Sequence, residues 1–419
     1  MAERRLALIL AGRVQVEPVI ALHGPRSVGK STLLATLATA QHVPVLDLDD
    51  PETREVVLAN ISLAVGQYTP LCVDEYQHVP LVLEAIKARM NRDGARPGTA
   101  VLTGSTRQDA LPRTAQALTG RLHTMTIWPL SQGEIAGVVE DVLPALRDDP
   151  DAAVRAQPTS TTPRESYVDR VCAGGFPLAL RRSAEERNRW FDDYIRQTLE
   201  RDALELKQVR QRQALRELLS RLAGRTGQIL NLNQAAQGMT VHRETIDGYT
   251  RLLEDLFLLE RLPAWGKTLK SRTGTAPKVH VIDSGVAARL MRVSPAKLAS
   301  LDPTALTEFG NLLETFVVGE LRKQVSWLDD QVTVGHWRTR DGDEVDLVIE
   351  FDDGRVLAFE VKANEHIRGE DLKGLRKLRD LLGDRFVAGV ALNTGSRSYS
   401  YQGERLHVMP IDRLWTPAS

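Results

Sequence analysis

The amino-acid sequence predicts an α/β chain of several domains: a parallel sheet at the N-terminal end, a helical middle and a mixed α/β unit at the C-terminal end. Three observations predict it. Residues 19 to about 130 alternate short apolar runs with segments of helical period. Residues 166–223 are helical, with Leu215, Leu218, Leu219 and Leu222 spaced as one buried stripe. Residues 344–362 read as two alternating strands around an Asp-Asp-Gly turn.

Taken in order, the runs VIALHG, VPVLDLD, LCVDE and AVLTGS are buried strands, each followed by a helical pattern. Such alternation predicts a parallel sheet with helices on both faces. Residues 141–165 are polar and rich in Pro, Thr and Asp, which reads as a linker or surface loop. From 226 a short helix, a Gly-containing turn, a longer helix near 240–256 and an apolar hairpin-like segment follow, the layout of a winged helix-turn-helix. The resulting division is 1–140 for the first α/β domain, 141–225 for the linker and helical region, 226–274 for the winged helix and 275–419 for the C-terminal domain.

Composition narrows the function classes. The 419 residues are 42% apolar and 26% charged, the balance of a water-soluble globular chain. Lys plus Arg number 54 against 55 for Asp plus Glu, so no whole-chain basic field draws nucleic acid. Cys72 and Cys172 lie in apolar surroundings and offer neither a disulfide framework nor a zinc pattern, which fits a reducing compartment. The N-terminal run carries Arg13 and Glu17 and reads as an amphipathic helix, not a signal peptide. No apolar stretch approaches the ~20 residues needed to cross a bilayer. The expectation is a cytoplasmic chain with no membrane partner.

The segment Gly24, Pro25, Arg26, Ser27, Val28, Gly29, Lys30, Ser31, Thr32 fits G-x-x-x-x-G-K-[ST]. It follows an apolar strand and opens a helix, as the motif requires. The glycines let backbone N–H groups face phosphates, and the helix N-terminus adds its dipole. Lys30 is placed to reach the β- and γ-phosphates of a nucleoside triphosphate, most simply ATP, and Ser31 to ligate Mg²⁺. About forty residues on, a second apolar strand ends in Asp74 and Glu75. Asp74 would hold the magnesium through water, and Glu75 would orient the attacking water as general base. A third strand places Thr103 or Ser105 beside the γ-phosphate. Arg121 and Arg107 are candidates for stabilising transition-state charge.

The C-terminal hairpin follows from its turn. If the turn centres on Asp353, Asp346 and Glu360 face each other with Cβ atoms ~5 Å apart. Lys362 shares their face. Leu347, Ile349, Phe351, Leu357, Phe359 and Val361 form the opposite, core-facing side, while the first gathers the two carboxylates and the lysine. Two carboxylates so close repel unless a cation lies between them, and their oxygens suit Mg²⁺ or Mn²⁺. Lys362 would then orient or activate a water for attack on a phosphodiester. The pattern is the D-x(n)-E-x-K arrangement of restriction-endonuclease-like nucleases, with thirteen residues between the two acids. Glu314, or else Glu320, is the candidate helical acid that completes it.

Read together, GPRSVGKSTLL, LDLDDPETR, LCVDEYQHVP, LTGSTR, LTGRLHTMTIWPLSQGE, AGGFP, WFDDYIRQTLERD, VIDSGVA, LLETFVVGEL and HWRTRDGDEVDLVIE…FEVK resemble bacterial and archaeal AAA-type ATPases fused to a C-terminal domain of unknown function. The resemblance covers nearly the whole chain and implies an ATPase, a helix-turn-helix and a restriction-endonuclease-like (PD-(D/E)xK) end. It also implies that Asp49 lies near the nucleotide and adds Arg201 to the charge-stabilising arginines. Arg26 and Ser27 stand where smaller residues are frequent, without disturbing a key contact. AAA-type sites commonly complete themselves across a subunit interface, so a homo-oligomer is compatible with it.

The function expected is ATP-dependent action on DNA, with the winged helix supplying His242, Arg243 and Arg251 and the C-terminal domain a metal-dependent nuclease-like site. The competing expectation is a signalling or scaffold ATPase whose C-terminal domain binds a protein and cuts nothing. A translocase is disfavoured, because neither aromatic-interleaved basic loops nor a second RecA-like domain is present.

Overall fold

Five apolar segments build the first sheet: β1 (Val19–His23), β2 (Val45–Asp47), β3 (Leu71–Asp74), β4 (Ala100–Gly104) and β5 (Leu122–Thr126). The structure is a computed structural model of the chain and describes residues 3–107, 118–156, 159–203, 211–266, 275–300 and 302–416. The strands are all parallel, in the order β2-β3-β4-β1-β5. Successive side chains leave opposite faces, so both are covered. Ile20, Leu22, Cys72 and Val101 pack on one side with Leu33, Leu34 and Leu37 of the helix Lys30–Ala40. Val19, Leu71, Val73, Ala100 and Leu102 pack on the other with Val82, Leu83 and Ile86 of the helix Leu81–Asp93. The amphipathic N-terminal segment forms the helix Arg5–Arg13 and buries Leu6 and Leu10.

Residues 141–165 are not a linker. They form the helices Val142–Asp148 and Pro150–Ala156 and an extended stretch that bridges Thr159 to Arg397. Leu143, Leu146 and Val154 are buried, and the hydroxyls of Ser160 and Thr162 donate to Asp412 at 2.5 and 2.7 Å. Three buried apolar side chains outweigh the polar composition around them and dock the segment on the C-terminal domain.

In the helical middle, Phe176, Trp190, Phe191 and Tyr194 pack as one aromatic cluster around the helix Ala184–Gln197. Next come the helix Arg212–Ala223, β6 (Gln228–Ile229), the helices Leu232–Ala235 and Arg243–Asp255, β7 (Leu259–Leu262) and β8 (Lys278–Val281). The three strands are antiparallel in the order β6-β8-β7. The Leu215, Leu218, Leu219, Leu222 stripe is buried as expected. Because the helix before β6 and the strand β8 belong to this unit, it runs from 212 to 281 and extends past both 226 and 274.

The C-terminal sheet holds β9 (Val332–Arg338), β10 (Glu344–Phe351), β11 (Val356–Lys362), β12 (Phe386–Asn393), β13 (Tyr399–Tyr401) and β14 (Leu406–Pro410). Its order is β13-β14-β12-β11-β10-β9, antiparallel through β9-β10-β11 and parallel through β11-β12-β14. Leu347 pairs with Phe359 and Ile349 with Leu357, so the register is the one the Asp353 turn predicts. Val348, Val356 and Ala358, on the carboxylate face, are buried under Leu372, Leu375 and Leu378, while Leu347, Ile349 and Phe359 pack with Phe309, Leu312 and Phe316 of the helix Pro303–Val325. Both faces are therefore dry, because the crossover helix Lys373–Leu382 supplies its own apolar stripe.

A phosphate-binding loop and an acidic cleft

The first candidate site sits at the C-terminal edge of the parallel sheet, where open α/β sheets place their ligands. Gly24 follows β1 so closely beside the chain after β5 that a Cβ on it would lie 2.1 Å from the Ile127 carbonyl oxygen. Gly29 has φ of +97°, in the left-handed region that a side chain resists. These two glycines shape a loop that delivers Lys30 to the first turn of its helix. Lys30 is 4% exposed, and its ammonium donates to the carbonyls of Gly24 and Pro25 at 3.0 and 2.9 Å. Ser31 and Thr32 are exposed at the helix start, on the side open to a ligand.

Asp74 and Glu75 end β3 beside this loop. The Thr103 hydroxyl donates to Asp74 Oδ1 and accepts from the Glu75 N–H at 3.1 Å. Thr103 therefore orients the carboxylate pair, and Ser105 is the residue left at the end of β4. The Gln77 amide donates to Glu75 Oε2 and to Ser105 Oγ. Glu75 has φ of +52°, a conformation a non-glycine residue adopts at a cost. Burial pushes its carboxyl up, but Lys30, Gln77 and Arg26 outweigh that and hold it below the ordinary range. An ionised carboxylate at this place suits general-base work. Among the described residues, Gln77 and His23 are contributors that motif reading missed. His23 meets the Tyr76 hydroxyl at 3.2 Å and the Thr106 carbonyl at 2.6 Å, tying β1, β3 and β4 together.

The arginines sort by position. Arg121 precedes β5, whose Leu122 lies level with Val19, so it stands at the opposite end of the sheet and bonds Asn91. A strand of this length separates it from the loop by roughly 16 Å, and it does not reach the site of its own chain. Arg107 is turned away as well: its N–H and Nε donate to the carbonyls of Asp255 and Glu254 at 3.1 and 2.9 Å, and its guanidinium lies over Phe257. It ties the end of β4 to the C-terminus of the helix Arg243–Asp255, where a cation also meets the helix dipole. Arg201 stands at the same end of the sheet as the loop, 3.3 Å from Asp49 just beyond β2.

The second candidate site is a cleft of about 570 Å³ lined by Glu314, Asp343, Glu344, Asp346, Glu360 and Lys362, among others. A bulge in the β9–β10 pairing between Val345 and Val348 re-aims Asp346 into it. Asp346 Oδ2 accepts from the Val361 N–H at 2.9 Å, and Lys362 donates to Glu360 Oε1 at 2.8 Å. Burial, then the charge of Asp346, push the Glu360 carboxyl up to about 8. Glu314 joins the cleft. Glu320 does not: it accepts from the Gln132 N–H at 2.7 Å and from Lys323, facing the first domain.

Lys278 was not foreseen. It comes from β8, is 1% exposed, and places its ammonium 2.7 Å from Glu314, 2.5 Å from Glu344 and 2.8 Å from Asp346. Burial favours losing its proton, yet the three carboxylates together hold it firmly charged. Among the described residues no three His, Cys, Asp or Glu side chains are arranged to hold a metal ion. As arranged, Glu314, Asp346 and Glu360 do not fit a divalent cation, because the ammonium holds the seat.

Three family models match the chain. Residues 16–136 match the model of an AAA domain, 164–297 that of a domain of unknown function (DUF8612) and 309–414 that of another (DUF4143). Uncharacterized proteins of Mycobacterium tuberculosis and Mycobacterium bovis are each 26% identical over 408 residues, which span 96% of this chain and 82% of theirs. Among solved structures, a Walker-type ATPase of Pyrococcus abyssi is 15% identical with a TM-score of 0.40, covering 69% of this chain and 96% of that one. DnaA of Aquifex aeolicus, bound to AMPPCP, is 13% identical with a TM-score of 0.25, over 59% and 86%. No helix among the described residues is long and apolar enough to cross a membrane. The N-terminal parallel sheet, with its glycine-rich loop after β1 and its match to an AAA domain, has the fold of a P-loop ATPase.

Proposed function

We propose that the chain binds ATP at Gly24–Thr32, hydrolyses it, and uses the turnover to act on DNA through the unit 212–281 and the C-terminal domain. One observation carries the ATPase reading: Glu75, ionised and held by Gln77, stands with Asp74 across from the Lys30 ammonium. Lys30 and the loop N–H groups would hold the β- and γ-phosphates, and Ser31 and Asp74 would hold Mg²⁺, which when bound neutralises phosphate charge. Glu75 would take the proton of the attacking water, and Ser105 would mark the γ-phosphate from the end of β4. Arg201 would supply positive charge from the same chain, or Arg121 from a neighbouring copy. Replacing Lys30 with Ala should abolish ATP turnover by the purified full chain. An unchanged rate would sink the assignment.

For the output, the helix and strand order of 212–281 supports a winged helix, and His242 and Arg243 are exposed at the start of its longer helix. The helix Pro303–Val325 followed by the β9–β11 meander supports a nuclease-like C-terminal fold. A second reading, a scaffold whose C-terminal domain binds a protein, is favoured by two observations. Lys278 neutralises the acids a nuclease needs, and the helix Arg243–Asp255 carries four carboxylates against two arginines, one of which, Arg251, is paired with Asp247. Plasmid and branched DNA, with Mg²⁺ or Mn²⁺, separate the two. The DNA reading expects binding, and nicking that Glu360→Ala removes; a wild-type protein that neither binds nor cuts hands the function to the scaffold.

A further inference from the structure

A second cavity of the C-terminal domain, about 760 Å³ in volume, lies between the helix Pro150–Ala156 and the edge of the sheet. Asp151, Arg155, Tyr399, Tyr401, Arg405 and His407 stand in its wall. β13 ends the sheet, three strands from β11. Val387, also in the wall, sits between Phe386 and Ala388, which pair with Val356 and Leu357 at the start of β11. Glu360 and Lys362 of the acidic cleft stand near the other end of that strand. The wall has three chemical features. Tyr399 and Tyr401 alternate along β13 and share a face, with ring centroids 5.7 Å apart, and Tyr399 is 40% exposed. Two arginines stand against one aspartate, a net positive wall where the other cleft is acidic, and Arg405 is fixed by the Phe386 carbonyl at 2.6 Å. His407 is 2% exposed, and the Ser400 hydroxyl meets its Nδ1 at 2.8 Å, which leaves Nε2 as the ring nitrogen open to a ligand. Burial holds the imidazole below its ordinary range, so it is neutral at pH 7 and can offer a hydrogen bond without a charge.

We propose that this cavity binds single-stranded DNA: a base stacks on Tyr399, its edge meets His407, and the adjoining phosphate lies at Arg155 and Arg405. An aromatic face beside arginines is the chemistry that holds unpaired nucleotides, since every base has a π-face and every linkage a negative charge. The volume suits one nucleotide with room for its neighbour's sugar and phosphate. A duplex has no free base face to offer and must first unstack one. The acidic cleft repels phosphate, so the strand is drawn to the opposite edge of the sheet. This assignment rests on the DNA reading above and sharpens it. It names the strand state, and it places a contact on β13 and β14, away from the helix Arg243–Asp255, whose carboxylates outnumber its arginines.

The test is fluorescence anisotropy of the full chain with a short labelled oligothymidylate and with a duplex of the same length, at one fixed salt concentration. Wild type should bind the single strand more tightly than the duplex. Tyr399→Ala should weaken single-strand binding by about tenfold or more, whereas Tyr399→Trp, which keeps an aromatic face, should retain it. Arg155→Ala should weaken it as well and make it less sensitive to salt. Should Tyr399→Ala fail to fold, Arg155→Ala decides, because that side chain is exposed on its helix. Duplex binding without preference for the single strand overturns the assignment and leaves the DNA reading standing. So does single-strand binding that Tyr399→Ala and Arg155→Ala leave unchanged. A wild type that binds neither form overturns both.

Discussion

The two acidic sites are built from the same parts and arranged to opposite ends. In each, a pair of carboxylates ends or flanks a buried strand and a lysine stands by. At β3 the lysine belongs to the loop across from the acids. Lys30 bonds its own loop carbonyls, while Thr103 holds Asp74 and Gln77 holds Glu75. At β10 and β11 the lysine stands among the acids, and Lys278 makes ion pairs with three of them. The difference teaches that residue types alone do not make a site. The N-terminal acids are held by the uncharged donors Thr103 and Gln77, whereas the C-terminal acids surround a buried ammonium.

The comparison breaks most visibly at Lys278. Replacing it with Ala leaves buried carboxylates without their partner, and global stability should fall by about 3–5 kcal/mol in denaturant titrations. The loss should depend on pH. Burial raises the Glu314 carboxyl well above its ordinary value and Glu360 to about 8, so in the variant these groups hold protons when folded and release them when unfolded. A carboxyl whose folded value is raised loses stability as pH climbs from its unfolded value, near 4.5, towards its folded one. The penalty should therefore be larger at pH 8 than at pH 5. An equal penalty at both would mean that Lys278 contributes packing and not charge.

Arg107 tests whether the two regions communicate. Arg107→Ala should cost about 1–2 kcal/mol through its lost bond to the Glu254 carbonyl and its lost contact with Phe257. It should also remove any ATP-dependent change in amide exchange over residues 243–255, a change that persists in the variant only if coupling runs elsewhere. Arg201 and Arg121 sharpen the nucleotide site. Arg201→Ala should lower turnover about tenfold and Arg121→Ala less than about twofold in dilute protein. The reverse ranking would assign the charge-stabilising arginine to a neighbouring copy.

The smallest expected effect lies away from both sites. Burial, reinforced by Glu320, pushes the Glu140 carboxyl up to about 7, and its Oε1 accepts from the Gly133 N–H at 2.9 Å. Its raised value means stability declines as pH rises from about 4.5 to 7. Glu140→Gln should gain about 1 kcal/mol or less at pH 8 and nothing at pH 4, by thermal melts at the two values. A gain at both would trace to packing.

Local features were the legible ones. Gly24 to Ser31 is a contiguous string whose strand and helix lie on either side, and the Asp346–Glu360 register follows from a turn seven residues from each. Lys278 was not legible, because tertiary packing brings it to Asp346 across 68 residues. The same reason hid the part played by Thr103, which reaches Asp74 across 29 residues, whereas the sequence alone offers Thr103 or Ser105 for the γ-phosphate. The place of Arg121 was not legible either, because an arginine's residue type does not say which end of the sheet it occupies. The segment 141–165 misled because its Pro, Thr and Asp content hid Leu143, Leu146 and Val154. The dry second face of the C-terminal sheet followed from a crossover helix whose leucines were visible but whose packing partner was not.

The central claim is that Glu75, held ionised beside Lys30, is the base of an ATP-hydrolysing site. Glu75→Gln tests it most directly, since the amide keeps the shape and loses the proton acceptor. Steady-state turnover and ATP binding should be measured on the same full-chain preparation with Mg²⁺. Turnover is predicted to drop by about 10²- to 10⁴-fold with ATP binding retained. A variant that binds ATP and hydrolyses it at the wild-type rate would contradict the account.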